Sequence, residues 1–356
     1  MKKLFLLLIL SFFSAQSFAA GCPDGSEPIK SISADGTYFV YNCGDFSEQA
    51  KTSITNFPHI NLPRDVASGN IYQKSLQDPD TYKDYGVQIV DKKDGHPVRA
   101  GNKSLRFELR DGDCGEVGSW SDCDSDRERH ELTGSKMLDG EEWWYAWSIF
   151  MPKDFKNISP TNLDLGQFHG DNSWVDPCCS FMFKNFRGGY SIENHLDDYK
   201  RKQLLTIGGM SEKWNDILVN LKWSKNNDGF INLWVNNKLV YEYQGPTLTK
   251  NSKFVYFKFG IYRSGLSRYL NHKNFSPAVE TCFRNNGASN ELINVTKKGE
   301  RSGLLGLGAD APTFNIYNQC KHLYTIKMPT HVVYYDEVRA GKTKEEVVGS
   351  LPLRIK

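Results

Sequence analysis

The chain has 356 residues, with 44 Lys and Arg against 42 Asp and Glu and a formal net charge of +2. That balance gives no basic surplus for holding a nucleic acid. It leaves room for an anionic ligand, because what matters there is local focusing of Arg and Lys within a cleft.

Residues 1–20 read as an export signal: Lys2 and Lys3, an apolar run from Leu4 to Phe13, then the small residues Ser17, Ala19 and Ala20. The mature protein is expected to be secreted or periplasmic, from a Gram-negative bacterium. Lipidation of Cys22 is a minor alternative, since Ala20-Gly21-Cys22 loosely resembles the end of a lipoprotein box. No other apolar stretch approaches a membrane span. Losing Lys2 and Lys3 brings the formal charge to zero. All eight cysteines lie in the exported part, where disulfides persist. The expected pairs are Cys22 with Cys43 and Cys114 with Cys123, leaving Cys178 and Cys179 to reach Cys282 and Cys320.

Residues 21–60 read as a disulfide-tied N-terminal element, and 61–356 as one β domain. Within Ser104 to Arg110, Leu105, Phe107 and Leu109 alternate with Arg106, Glu108 and Arg110, the pattern of a half-buried antiparallel strand. The acidic stretch Asp111, Asp113, Asp122, Asp124 and Asp126 has a calcium-binding reading, but a solvated loop tied by Cys114 and Cys123 is preferred. Arg129 and Glu131 follow in a strand-like segment with His130 opposite. Trp143, Trp144, Tyr145 and Trp147 open an aromatic strand ending at Pro152, more suited to core than to a sugar platform because alternation buries at least half of it. Ile217 to Trp223 and Phe230 to Tyr243 continue the pattern, the latter around an Asn236-Asn237 turn. The polar segment 265–321 reads as a long loop insertion forming a wall or lid of the cleft. The fold class expected is all-β, a concanavalin-like β-jelly-roll sandwich with a concave substrate cleft and few short helices.

Three segments carry the chemistry. Gln167 and His169 are two apart, so a strand directs both to one face while Phe168 packs into the other. Tyr256, Lys258 and Tyr262 share a face with Phe257, Phe259 and Ile261 opposite, and Gly260 leaves space for a sugar to approach the backbone. With Arg129 and Glu131, these strands would give a polar floor over an apolar core. Such groups suit proton abstraction beside a carboxylate: Arg and a side-chain amide neutralise the carboxylate and the developing enolate-like charge, while His and Tyr serve as base and acid. No redox cofactor is needed, and no metal ligand set is assigned.

The blocks Gly101–Arg110, Arg129–Leu132, Trp143–Pro152, Gln167–His169, Asp228–Asn236, Tyr256–Tyr262 and Val333–Asp336 resemble the heparin lyase I-like polysaccharide lyase family, which includes glucuronan lyases. The Arg-x-Glu, Gln-x-His and Tyr-Phe-Lys-x-Gly-x-Tyr set is also similar to that of alginate lyases of the same jelly-roll type. The resemblance implies β-elimination on an anionic polysaccharide (glucuronan, alginate or a glycosaminoglycan-like polymer) by a monomer. Arg129 and Gln167 would bind the carboxylate, His169 would be or assist the base, and Tyr262 would be the acid or also the base. Lys258, Tyr256, Glu131 and Arg263 would contact substrate. His130 within the first motif and Thr133 after it depart from the alginate-lyase pattern.

Three plainer readings stand beside this one. Arg129 and Glu131 could form an ion pair on a solvated face, Tyr256 could serve packing alone, and Asp336 reads as a strand or turn residue. A non-catalytic lectin-like glycan-binding module is the alternative from another class. It would need aromatic platforms but no acid and base together. A glycoside hydrolase would need paired catalytic carboxylates, and no compact Glu-x-Asp-x-x-Glu motif is found.

Overall fold

The computed structural model describes residues 83–348 apart from 119, 172–176, 207 and 301–310, together with short pieces at 29–32, 39–42, 62, 67–68 and 73–75. The export signal, the Cys22–Cys43 pair and most of the 21–60 element lie outside the described residues. The chain divides into two compact units, Met1–Thr55 and Asn56–Lys356. In the first, β1 (Ile29–Ile32) and β2 (Phe39–Asn42) pair antiparallel.

The second unit is a two-sheet β-jelly-roll sandwich. Its strands are β3 (Ala67–Ser68), β4 (Gln73–Lys74), β5 (Val87–Asp91), β6 (Lys103–Leu109), β7 (Glu116–Val117), β8 (Trp120–Ser121), β9 (Arg127–Leu138), β10 (Glu142–Phe150) and β11 (Asn162–Gly170). They continue with β12 (Cys179–Phe186), β13 (Gly189–Asn194), β14 (Lys200–Leu205), β15 (Trp214–Lys222), β16 (Phe230–Val235), β17 (Lys238–Gln244), β18 (Phe254–Ser264) and β19 (His331–Gly341). One sheet has the order β14-β13-β12-β11-β18-β9-β4; the other runs β17-β16-β15-β10-β19-β6-β5, with β3 on β19. Strands adjacent in sequence, such as β10 and β11, fall in different sheets, so the chain repeatedly crosses the sandwich.

Side-chain alternation explains the core. Leu105, Phe107 and Leu109 are fully buried. Phe168, Phe257 and Phe259 from one sheet meet Tyr145, Trp147, Trp223 and Tyr335 from its partner or the following turn, with the Trp147 ring 4.9 Å from Phe183 and 5.0 Å from Phe257. Truncating one such ring typically costs about 3–5 kcal/mol. Tyr145 and Trp147 are core, as alternation predicts, while Trp144 stacks on Trp234 outside it. Asn236 and Asn237 both take positive φ, 49° and 68°, the requirement of the tight hairpin turn read from them.

Two expectations are corrected. The 265–321 segment is not a loop: its described part forms α1 (Leu266–Asn274), α2 (Pro277–Asn285), α3 (Asn290–Lys298) and α4 (Ala311–Cys320). Ser276 and Ser289 cap α2 and α3 by accepting from Val279 N and Leu292 N, Pro277 occupies the first turn, and Gly299 closes α3 in the left-handed conformation. Val279, Phe283, Ile293 and Cys320 form a small core of their own. The cysteine pairing also differs. Cys282 bonds Cys320, linking α2 to α4, and Cys178 bonds its neighbour Cys179, while Cys114–Cys123 forms as expected. Because Cys282 and Cys320 satisfy each other inside the helical cluster, neither is left for the β11–β12 connection.

Candidate functional site

On the seven-stranded sheet β9, β18 and β11 lie side by side, and the register aligns the expected residues. Arg129 faces Tyr262, which faces Asp164; Gln167 faces Lys258; His169 faces Tyr256. Arg129, Glu131, Gln167, His169, Tyr256, Lys258 and Tyr262 share the face turned away from Phe168, Phe257 and Phe259, so the polar floor forms as predicted. It is recessed. His169 and Tyr262 are each 8% exposed, whereas Glu131 is 1% and Gln167 2% exposed, so the base and acid candidates are the parts of the floor nearest solvent.

Arg129 donates from Nε and Nη2 to both oxygens of Asp122, at 2.6 and 2.8 Å, and from Nη1 to Glu131 at 3.2 Å. Burial opposes its charge, but Asp122, Tyr262 and Glu131 outweigh that and hold it firmly protonated. The Arg129–Glu131 ion pair therefore exists, buried rather than on a solvated face. The Arg129 guanidinium lies 4.2 Å from the Tyr262 ring centre. The other Glu131 oxygen accepts from Gln167 Nε2 at 2.7 Å, and Gln167 Oε1 rests 3.1 Å from the Cys179 sulfur. The amide is held with one N–H engaged, and the second has no partner among the described residues.

His169 has its Nδ1 2.6 Å from the Gly170 carbonyl oxygen. That acceptor requires the proton on Nδ1, which leaves the lone pair on Nε2. Burial pushes the imidazole pKa well below 6.5, Lys258 adds to this, and the Gly170 carbonyl partly opposes it. The imidazole is neutral at neutral pH and competent as a base. Tyr256 stacks on this ring, centres 5.2 Å apart, with its hydroxyl 3.0 Å from Nδ1. It is 2% exposed, packed against the His169 ring. Burial raises the Tyr262 phenol, against the pull of Arg127 and Arg129, and keeps it a proton donor.

Arg263 is not brought to the site. Alternation turns it away from Tyr262, and it is fully buried against Glu128, the Arg110 carbonyl and His331, where it ties loops at one end of the sandwich. The role expected for Gly260 also changes. With φ at +138°, a Cβ there would meet the His130 carbonyl oxygen at 2.3 Å and Glu131 Cα at 2.9 Å, so its need is close packing of β18 on β9.

Several residues were not read from the sequence. Asp164 faces Tyr262, is 1% exposed, has one oxygen without a hydrogen bond among the described residues, and lies 3.8 Å from Lys184; burial lifts it to about 7. A bulge hides it: Leu165 packs in the core, and a Cβ on Gly166 would meet Phe183 and Phe257 there, so two successive positions point inward. The Tyr335 hydroxyl reaches across from β19 to the carbonyl oxygens of Leu165 and Gly260 at this bulge. Among the acidic residues, Asp122 holds Arg129, Asp113 contacts Tyr85 and His130, and Asp126 accepts from Ser267 at the start of α1. Asp336 accepts from the Arg99, Ala100 and Glu337 backbone.

A polysaccharide lyase family model matches residues 66–281. Comparison with curated protein sequences gave no match. Among solved structures, the endo-β-1,4-glucuronan lyase of the fungus Trichoderma reesei is similar at 15% identity, covering 75% of this chain and 91% of that one, TM-score 0.41. A marine alginate lyase of Zobellia galactanivorans is similar at 10% identity, covering 88% and 92%, TM-score 0.38. The catalytic domain of a family 131 glycoside hydrolase of Coprinopsis cinerea is similar at 10% identity, covering 78% and 85%, TM-score 0.40.

Proposed function

The chain belongs to the polysaccharide lyase family, and from that premise we propose that it cuts a uronic-acid-containing anionic polymer by β-elimination, with His169 as base and Tyr262 as acid. Family membership sets aside the non-catalytic module. The observation that carries the roles is the pairing of a buried imidazole, proton fixed on Nδ1 by Gly170, with a phenol on the same face whose hydroxyl has no hydrogen bond among the described residues.

The uronate carboxylate takes the remaining N–H groups of Gln167 and Arg129. Their charge and dipole lower the energy of the enolate-like state more than that of the substrate, because the negative charge grows there as the reaction proceeds. Nε2 of His169 removes the proton on C5, the electron pair forms the C4–C5 double bond, the C4–oxygen bond breaks, and the Tyr262 hydroxyl gives its proton to the leaving oxygen. Glu131 and Asp122 are positioning residues: they orient Gln167 and Arg129 and do not reach the sugar. Lys258, cross-strand from Gln167, adds positive charge for a polyanion. The heparin lyase I-like subtype, a monomeric state and export to the periplasm or beyond are part of the same reading, the last supported by bonded cysteine pairs of the kind that persist outside the cytoplasm.

The test is ultraviolet detection of unsaturated uronate while mature protein is incubated with glucuronan, alginate and glycosaminoglycans. A rise on one polymer that Tyr262→Phe abolishes supports the reading and names the substrate. A rise with unsaturation absent from the product, or one that survives both Tyr262→Phe and His169→Ala, overturns it.

A further inference from the structure

The bonded pair Cys178–Cys179 takes no part in the elimination written above, yet it touches three of the groups that carry it. Cys179 Sγ lies 3.1 Å from Gln167 Oε1. A ring nitrogen of His169 and both sulfurs lie within 4.8 Å of one another. Cys179 packs with Met182 and Tyr262 in a small apolar cluster to which Cys178 adds, Cys179 itself being fully buried. The backbone fixes this placement, because Cys179 stands opposite His169 in the β11–β12 register and the Cys178 carbonyl accepts from Gly170 N at 2.9 Å.

We propose that the Cys178–Cys179 disulfide is a positioning element of the active site and a redox-sensitive one, its reduction by a dithiol switching the lyase off. This rests on the function proposed above. A disulfide has no S–H to donate, so beside Gln167 and His169 it is an aprotic, apolar wall. It holds the amide oxygen away from the substrate, keeps the remaining amide N–H facing it, and keeps water from the imidazole. In the reduction, one dithiol thiolate attacks a sulfur of the pair, the S–S bond breaks, and the second dithiol sulfur closes a cyclic disulfide. Two electrons pass to the pair and two protons leave the dithiol for the two cysteine sulfurs. The product places S–H donors beside the Gln167 amide oxygen and the neutral imidazole. A thiol that hydrogen-bonds the imidazole lone pair occupies the atom that would take the C5 proton, and His169 then no longer serves as the base.

The experiment uses the mature protein on whichever polymer it cuts, with and without dithiothreitol, alkylated cysteines being located by mass spectrometry. Reduction of the pair is expected to lower kcat by about a hundredfold, the scale of a lost general base. The Cys178→Ala/Cys179→Ala variant is expected to have a lower kcat, an acid limb of its pH profile moved to higher pH as water reaches His169, and no further response to dithiol. A merely structural role would leave that limb in place. Wild-type kcat, KM and pH profile in the variant would overturn the proposal, as would a variant that still loses activity to dithiol. Should the variant fail to fold, near-ultraviolet circular dichroism of the reduced wild type decides: lost activity with retained signal supports the proposal, and loss of both overturns it. An oxidised wild type inactive on every polymer tells instead against the function on which the proposal rests.

Discussion

Replacing Tyr262 by Phe removes one hydroxyl and little else. The ring stays beneath the Arg129 guanidinium at 4.2 Å, a contact worth about 0.5–2 kcal/mol that Phe retains. The hydroxyl makes no hydrogen bond to the described protein, so unfolding free energy should change by no more than about 0.5 kcal/mol. The carboxylate-binding groups Arg129 and Gln167 are untouched, and KM should remain near wild type. Loss of a general acid removes a factor of about 10²–10⁴ from kcat, equivalent to about 3–5 kcal/mol of barrier. Initial rates of unsaturated product formation over a range of polymer concentrations separate kcat from KM, and urea unfolding checks stability. A variant with wild-type kcat, or one whose lost activity tracks lost stability, would refute the assignment of the acid.

Burial holds His169 well below 6.5, so the base stays neutral as pH falls through that value; the pH–rate profile should be flat through 6.5 and fall only further into acid, and an acid limb centred at or above it would contradict this. Asp122→Ala leaves the buried Arg129 with Glu131 as its remaining carboxylate and should cost about 3–5 kcal/mol in urea unfolding, together with weakened activity. Asp164 is raised from 3.8 to about 7 by burial. The stability tied to this group is therefore fully present below 3.8 and is lost as pH rises through 7. Relative to Asp164→Asn, the wild type should lose up to about 4 kcal/mol over that window, and parallel unfolding free energies for the two proteins across it would sink the prediction.

Much of the site was legible because a strand has a period of two. Gln167 with His169, and Tyr256 with Lys258, announce a common face from spacing alone, and the apolar residues between them announce the core. The same rule, pursued further, would have kept Arg263 out: next to Tyr262 in sequence, it must point to the opposite side, where Glu128 awaits it. The helices α2 and α3 were also signalled, by Ser276-Pro277, Ser289 and Gly299, but the polarity of the segment outweighed those caps in a reading that weighed composition.

The remainder belongs to tertiary structure. Asp164 is displaced from the expected parity by a bulge held by a tyrosine of the opposite sheet, and no local pattern announces which residue will be doubled. Asp122 reaches Arg129 only because the loop tied by Cys114 and Cys123 folds back over β9. The Cys178–Cys179 bond, and its place beside Gln167, His169 and Tyr262, depends on where β12 pairs. Sequence fixes which side of a strand each residue occupies, because covalent geometry sets that alternation locally. Which strands become neighbours, and hence which charges and sulfurs meet across them, is decided by packing two whole sheets around one aromatic core.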